Sequence, residues 1–154
     1  MLGELNMEMI NELLRTQLIG RLGTYADGVV SIVPVNFSYD GAYIYAHSQR
    51  GLKINSMRKN PNVCFEVDKI ENLFNWQCVV CWGMFEEITD ISESEHAMKK
   101  IIQSIEPYLS EAENAHPSHG IVDVSSEIGT TTEIIIYKIK VTKKTGRFEY
   151  RASS

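Results

Sequence analysis

No stretch of this sequence is apolar for long enough to span a bilayer as a helix. The longest run without a charge, Leu73 to Phe85, falls short of the ~20 residues a spanning helix needs. No secretory leader is expected either, because Glu4, Glu8 and Glu12 stand where a basic segment followed by an apolar one would lie. Cysteine is scarce and odd in number, with three residues, Cys64, Cys78 and Cys81. With no export signal these read as reduced thiols of a cytoplasmic protein. Excess positive charge is lacking, since the net charge is -5, which argues against a general nucleic-acid face. The cluster Lys138, Lys140, Lys143, Lys144 and Arg147 is the local exception and reads as a solvated strand end. The sequence contains no repeat and no low-complexity segment. It also lacks a Gly-x-Ser-x-Gly elbow, a His-Glu-x-x-His pair and a Rossmann glycine pattern, so hydrolase and dinucleotide-fold readings have no support. His116 and His119 sit in a proline-containing stretch without cysteine or carboxylate at ligand spacing, which makes no metal site.

What remains is an ordinary globular composition, 44% hydrophobic and 23% charged over 154 residues with four prolines. That length suits one domain with a core of its own. Leu5, Met9, Ile10, Leu13 and Leu14 recur at helical spacing behind Asn6, a candidate N-cap. The period then changes to that of strands. Leu18 to Tyr25 ends at Asp27-Gly28, Val29 to Tyr39 ends at Asp40-Gly41, and Ala42 to His47 follows. Asp-Gly between apolar runs is the strongest short hairpin signal, so these segments predict a three-stranded antiparallel meander. A short helix after Gly51 stops at Asn60-Pro61. Asn62 to Asp68 and the nearly continuous apolar run Trp76 to Ile88 read as strands, the second suited to a barrel or a subunit interface. Ser92 with Glu95 forms a capping box before a helical stripe of Met98, Ile101, Ile102 and Ile105, with Pro107 limiting or kinking that helix. Residues 110–129 carry no firm pattern, Thr131 to Val141 is a last strand, and Phe148 to Ser154 a tail. About six hairpin-linked strands with peripheral helices predict a mainly β, small antiparallel barrel.

Three features carry chemistry. The first is the corner Tyr45-Ala46-His47-Ser48-Gln49-Arg50-Gly51-Leu52-Lys53. A helix starting just after Ser48 leaves unpaired N–H groups, Gly51 admits an anion close to the backbone, Ser48 offers a hydroxyl, and Arg50 and Lys53 offer charge. Phosphate suits such a site; a capped helix with two solvated cations is the alternative. The second is Pro34, inside an otherwise strand-like Ser31 to Phe37. Proline cannot donate to a ladder, so it marks an edge or a bulge and, with Asn36, leaves room for a planar polar ligand. The third is the pair Trp76 and Trp82, at even spacing on one strand face and suited to packing or to shielding a flat ring. Cys78-Val79-Val80-Cys81 is not a redox pair, because residues three apart on a strand point to opposite faces.

The ordered segments Gly-Arg-Leu-Gly-Thr (20–24), Val-Pro-Val-Asn-Phe (33–37), Ile-Tyr-Ala-His-Ser (44–48), Gly-Leu-Lys (51–53) and Arg-Lys-Asn-Pro-Asn-Val-Cys-Phe-Glu-Val-Asp (58–68) resemble the FMN-binding split-barrel family related to pyridoxamine 5′-phosphate oxidase. Within it the likeness is closest to the 5-nitroimidazole-resistance (nitroreductase-type) proteins. The resemblance implies a six-stranded split β-barrel and a homodimer with FMN at the subunit interface. Val33, Pro34, Val35 and Asn36 would run along the flavin ring and ribityl chain. Ala46, His47, Ser48, Gly51 and Lys53 would hold the phosphate end. Asn75-Trp76-Gln77 resembles the oxidase's Asn-Arg-Gln, so Gln77, with Trp76 beside it, would reach the flavin of the partner chain. The oxidase's arginine–lysine phosphate pair and its C-terminal substrate motif are not reproduced; Thr145-Gly146-Arg147 is only a faint echo. The implied activity is FMN-dependent reduction of a small oxidised acceptor such as a nitroaromatic. The alternative is non-catalytic storage of FMN or haem, with His47 the histidine to watch as a haem ligand. No residue is nominated as catalytic acid or base.

Overall fold

The computed structural model describes residues 1–109 and 133–153. Its elements are β1 (Leu2–Glu4), α1 (Met7–Thr16), β2 (Ile19–Ala26), β3 (Val29–Asn36), β4 (Ser38–Tyr39), β5 (Tyr43–Gln49), α2 (Leu52–Lys59), β6 (Asn62–Asn72), β7 (Asn75–Glu87), α3 (Ile91–Leu109) and β8 (Ile134–Glu149). The strands form one antiparallel sheet in the order β3-β2-β6-β7-β8-β5-β4, with β1 added to β8. The mainly β reading is therefore correct. The strand count rises from about six to eight because β1 and β4 are too short to show a period.

The predicted first helix is present. Asn6 accepts a hydrogen bond from the Met9 N–H at 2.9 Å, and Ile10, Leu13 and Leu14 are buried against the sheet. The turn at Asp27-Gly28 carries both residues at positive φ, 52° and 76°, as a two-residue hairpin requires. The second turn differs. Only Gly41 is at positive φ, 105°, and Asp40 Oδ1 accepts from the Ala42 and Tyr43 N–H groups. This side-chain-mediated turn closes the short β4–β5 pair.

That turn exposes the main departure from the meander. The long strand expected from Val29 to Tyr39 is two strands broken at Phe37. β3 pairs only with β2, and β4 pairs only with β5. Phe37 is 1% exposed and stacks edge-on against Phe65 at 5.0 Å between ring centroids. Burying that ring turns the chain from one end of the sheet to the other. The barrel is thereby split between β3 and β5, and Pro34 lies on an edge strand, as proline should.

The other departures have equally local causes. Helix α3 is capped by Asp90, whose carboxylate accepts from the Glu93 N–H at 2.8 Å, so Ser92 lies inside the helix and makes no capping box. The expected stripe does pack: Met98 and Ile101 meet Tyr45 and Ile88 over β5. The last strand runs on to Glu149, because β7 and β1 both pair with its second half, and Phe148 is not in a tail. The basic cluster is consequently solvated only in part: Lys140, Lys143 and Arg147 are exposed, but Lys138 and Lys144 are engaged by neighbours. Lys138 bridges Glu86 and Glu93, and Lys144 donates to Asn11 Oδ1 and the Tyr39 hydroxyl, each at 2.8 Å. The expected loop at 110–129, with His116 and His119, lies outside the described residues.

The main core fills the barrel with Leu22, Ile44, Phe65, Val67, Val79 and Tyr137 among others. Tyr137 is fully buried and its hydroxyl has no partner among the described residues. An unpaired buried hydroxyl costs stability, and removing it at constant ring shape removes that cost. Tyr137→Phe is therefore expected to leave the melting temperature unchanged or raise it by a few degrees, for a gain of up to about 1 kcal/mol, as differential scanning calorimetry would read.

Candidate functional site

The split in the barrel opens a cleft of about 310 Å³ lined by Pro34, Val35 and Asn36 of β3, His47, Ser48 and Gln49 of β5, Lys53 of α2 and Ile134 of β8. Six residues nominated from the sequence thus converge on one cavity from three separate elements. Gln49 and Ile134 were not nominated. Gln49 merely continues a nominated strand, whereas Ile134 arrives through the register that pairs it with Gln49, which no local pattern encodes.

The other nominated residues fall elsewhere. Val33 packs its side chain on the core and Ala46 is fully buried, so in this chain they frame the cleft without lining it. Gly51 is the N-cap of α2 in extended backbone, φ -179°, and a Cβ built there would meet nothing within 4 Å. Trp76 and Gln77 line a separate hollow of about 180 Å³ with Lys69, Glu71, Asn75, Phe148, Glu149 and Tyr150. The two cavities share no residue within one chain.

The anion site read at the corner is only partly realised. Helix α2 begins at Leu52, not just after Ser48. The Ser48 hydroxyl donates to the Gln49 carbonyl at 2.8 Å, and Arg50 pairs with Glu133 at 3.5 Å. Lys53 is the cation left over. It is half-buried, lines the cleft, and has no ion pair or hydrogen bond among the described residues. Burial pushes its ammonium pKa below the ordinary lysine value. Beside it His47 presents a buried Nε2 without a partner among the described residues. Burial first, and the Lys53 charge second, lower the imidazole pKa, so the neutral form is favoured.

These facts fix how the flavin-free protein responds to acid. The folded pKa of His47 lies below its ordinary value of 6.5, so the unfolded chain binds the proton first. Stability is then complete above that value and falls as pH drops below it toward the folded pKa. His47→Gln is expected to flatten this acid-side loss in urea unfolding between about pH 6.5 and 5. An unchanged slope would assign the loss to other groups.

On β7, Cys78 and Cys81 face opposite sides, as expected. The Cys78 thiol donates to Glu66 Oε1 at 3.3 Å, while Cys81 is 1% exposed in the core. Burial, aided at Cys78 by Glu66, pushes both thiols up to about 12, so neither is a thiolate nucleophile. The run Trp76 to Ile88 is buried on one face only. Val79, Cys81 and Phe85 point inward, while Trp82 and Met84 are exposed on the other face, with Lys143 over the Trp82 ring. Among the described residues no helix is long and apolar enough to cross a membrane, and no group of three potential ligands could hold a metal ion.

Comparison with known proteins places this geometry. The chain is 26% identical over 129 residues to the uncharacterized protein RA0666 of Rhizobium meliloti (strain 1021), a match covering 84% of this chain and 83% of that protein. Among solved structures, an FAD-binding protein from Mesorhizobium loti superposes with a TM-score of 0.74 at 24% identity, covering 97% of this chain and 99% of its own. A candidate 5-nitroimidazole antibiotic resistance protein from Bacteroides thetaiotaomicron gives 0.70 at 21%, covering 96% and 87%. The flavocytochrome Anf3 from Azotobacter vinelandii gives 0.68 at 17%, covering 96% and 68%. These likenesses establish the split-barrel fold. The family model described as pyridoxamine 5′-phosphate oxidase matches residues 6–147, and the chain belongs to that family.

Proposed function

We propose that this protein is a homodimeric flavoprotein that binds FMN in the cleft between β3 and β5 and reduces a small oxidised acceptor, such as a nitroaromatic. The observation that carries the reading is the pair of unsatisfied groups in that cleft. Among the described residues Lys53 is half-buried without a counter-ion, and His47 Nε2 is buried without a partner. Burying an unpaired cation costs stability, and a bound anion would offset that cost. The residues present fit the phosphate end of a flavin mononucleotide. Lys53 would hold the phosphate, Gly51 leaves the helix start open to it, and Pro34 and Asn36 would flank the rest of the cofactor along the free edge of β3. The flavin would supply the electron and hydride chemistry; the protein would supply position and charge.

The dimer reading draws on the outer face of β3-β2-β6-β7. One row across those strands runs Ile32, Gly23, Cys64, Trp82, and beside it Val30 pairs with Tyr25. Val30 and Ile32 are 70% and 71% exposed. Such a patch on a sheet is a docking surface more often than a free one, and Pro34, which lines the cleft, sits on the same edge strand. A second copy would cover it, and Gln77 of that copy would then reach the cleft.

The test begins with the visible spectrum of freshly purified protein and the mass of whatever a denaturant releases. A flavin spectrum with released FMN supports the reading. A haem band would replace it with a haem-binding one. A colourless protein that ignores added FMN would overturn it. Oxidation of NAD(P)H in the presence and absence of a nitroaromatic then separates reduction from storage, and sedimentation gives the oligomeric state.

A further inference from the structure

His47 and Lys53 reach the cleft from different elements, β5 and α2. Each is poorly satisfied by the protein's own described residues, but in different ways. Lys53 needs an anion. His47, neutral and with Nε2 buried, has neither donor nor acceptor for that nitrogen among the described residues. The ionisable surroundings are sparse. From α2 only Lys53 acts on the imidazole. β3 contributes Pro34 and Asn36, and β8 contributes Ile134 and the cross-strand neighbour Ile136, none of them ionisable. Arg50 and Glu133 neutralise each other at positions next to the lining residues Gln49 and Ile134. On α3, which packs over β5, Glu93 is engaged by Lys138 and Lys100 lies beside Asp40. Among the described residues no carboxylate pairs with either cleft group, so the charge of a ligand decides how His47 titrates.

A terminal phosphomonoester near neutral pH carries a charge of about -1.5 to -2. One lysine leaves part of that charge uncompensated in a half-buried space. The diphosphate bridge of a dinucleotide carries two charges as well, but divided between two phosphorus atoms, each joined to one ester oxygen and the shared anhydride oxygen, so the one phosphate that sits at Lys53 presents a single charge with no second one for an imidazolium to meet. We infer that His47 is the specificity-determining residue of this cleft: it takes a proton from solvent when a phosphomonoester binds beside Lys53, donates from Nε2 to that dianion, and thereby selects FMN over FAD and over uncharged riboflavin. The inference rests on the flavin reading above and gives it a chemical basis for one flavin over another.

The experiment titrates the flavin-free full-length protein with FMN, FAD and riboflavin by fluorescence quenching from about pH 6.5 to 8.5. The lower limit stays above the second phosphate pKa of about 6. Wild-type protein is expected to lose roughly tenfold in FMN affinity across that range, as one linked proton is withdrawn. FAD and riboflavin are expected to bind more weakly with no pH dependence. His47→Gln is expected to bind FMN about tenfold more weakly at the acid end, with a flat profile. In parallel, the ¹⁵N imidazole shifts of wild-type His47 are followed with and without FMN, which needs no variant to fold; FMN should raise its pKa from below the ordinary value of 6.5 to roughly one unit above it. FMN binding with a flat profile and an unmoved imidazole, or FAD binding as tightly as FMN, would overturn the selection while leaving a flavin site in place. Failure of all three ligands to bind would overturn both.

Discussion

Lys53→Glu is expected to abolish retention of the cofactor through purification and to weaken FMN binding by at least about a hundredfold, roughly 3 kcal/mol. The lysine is the cation in the cleft without a carboxylate on it among the described residues, so reversal places like charge against a phosphate with nothing to absorb it. The same position offers a test whose sign is diagnostic. Burial lowers the Lys53 pKa, which means the folded state disfavours the charged form. Below the folded pKa both states carry the proton and the full cost is present; it vanishes only as pH rises past the unfolded value. Lys53→Met should therefore leave the flavin-free protein as stable as wild type, or more so, at neutral pH while destroying FMN binding. A structural lysine would behave in the opposite way. Thermal melts of the flavin-free proteins and FMN titrations read the two effects separately. Loss of stability together with loss of binding would mean that Lys53 holds the fold, not a ligand.

Gly83→Ala should be among the most damaging additions of a single methyl group at the described residues. Gly83 lies on β7 where the register with β8 shifts between Trp82 and Gly83. Trp82 opposes Lys143 and Gly83 opposes Val141, leaving Thr142 as the extra residue. Thr142 donates from its hydroxyl to the Trp82 carbonyl at 3.1 Å. The bulge brings the β8 backbone over Gly83. A Cβ there would fall against the Lys140 carbonyl oxygen and within 2.8 Å of Ile139 Cγ2. Backbone in the middle of a paired strand cannot step aside as a flexible side chain can. The expected cost is about 3 kcal/mol or more, a fall of roughly 6–12 °C in melting temperature at this chain length. Gly51→Ala is the matched control: its Cβ meets nothing within 4 Å, and it should melt like wild type. A Gly83→Ala protein melting within a degree or two of wild type would show that β7 and β8 are not held at that separation.

The sequence by itself determined whatever a few neighbouring residues decide. Asn6 and the apolar spacing behind it set α1; Asp27-Gly28 set a turn whose two positive φ values few other pairs allow; Pro34 set an edge; the odd spacing of Cys78 and Cys81 ruled out a thiol pair. The ordered segments from residue 20 to 68 also carried the family. Tertiary structure decided the rest, because it depends on which distant strands pair and in what register. The break at Phe37 is invisible in a run of strand-forming residues; it follows from burying one ring against Phe65 in the barrel. From that break come the split, the cleft and the arrival of Ile134 beside His47 and Lys53. The length of β8 likewise came from its partners β7 and β1, and the separation of Trp76 and Gln77 from the cleft came from where the β6–β7 hairpin ends. Turn and cap chemistry is local and legible. Charge satisfaction is not, and only the folded chain could pair Arg50 and leave Lys53 without a partner among the described residues.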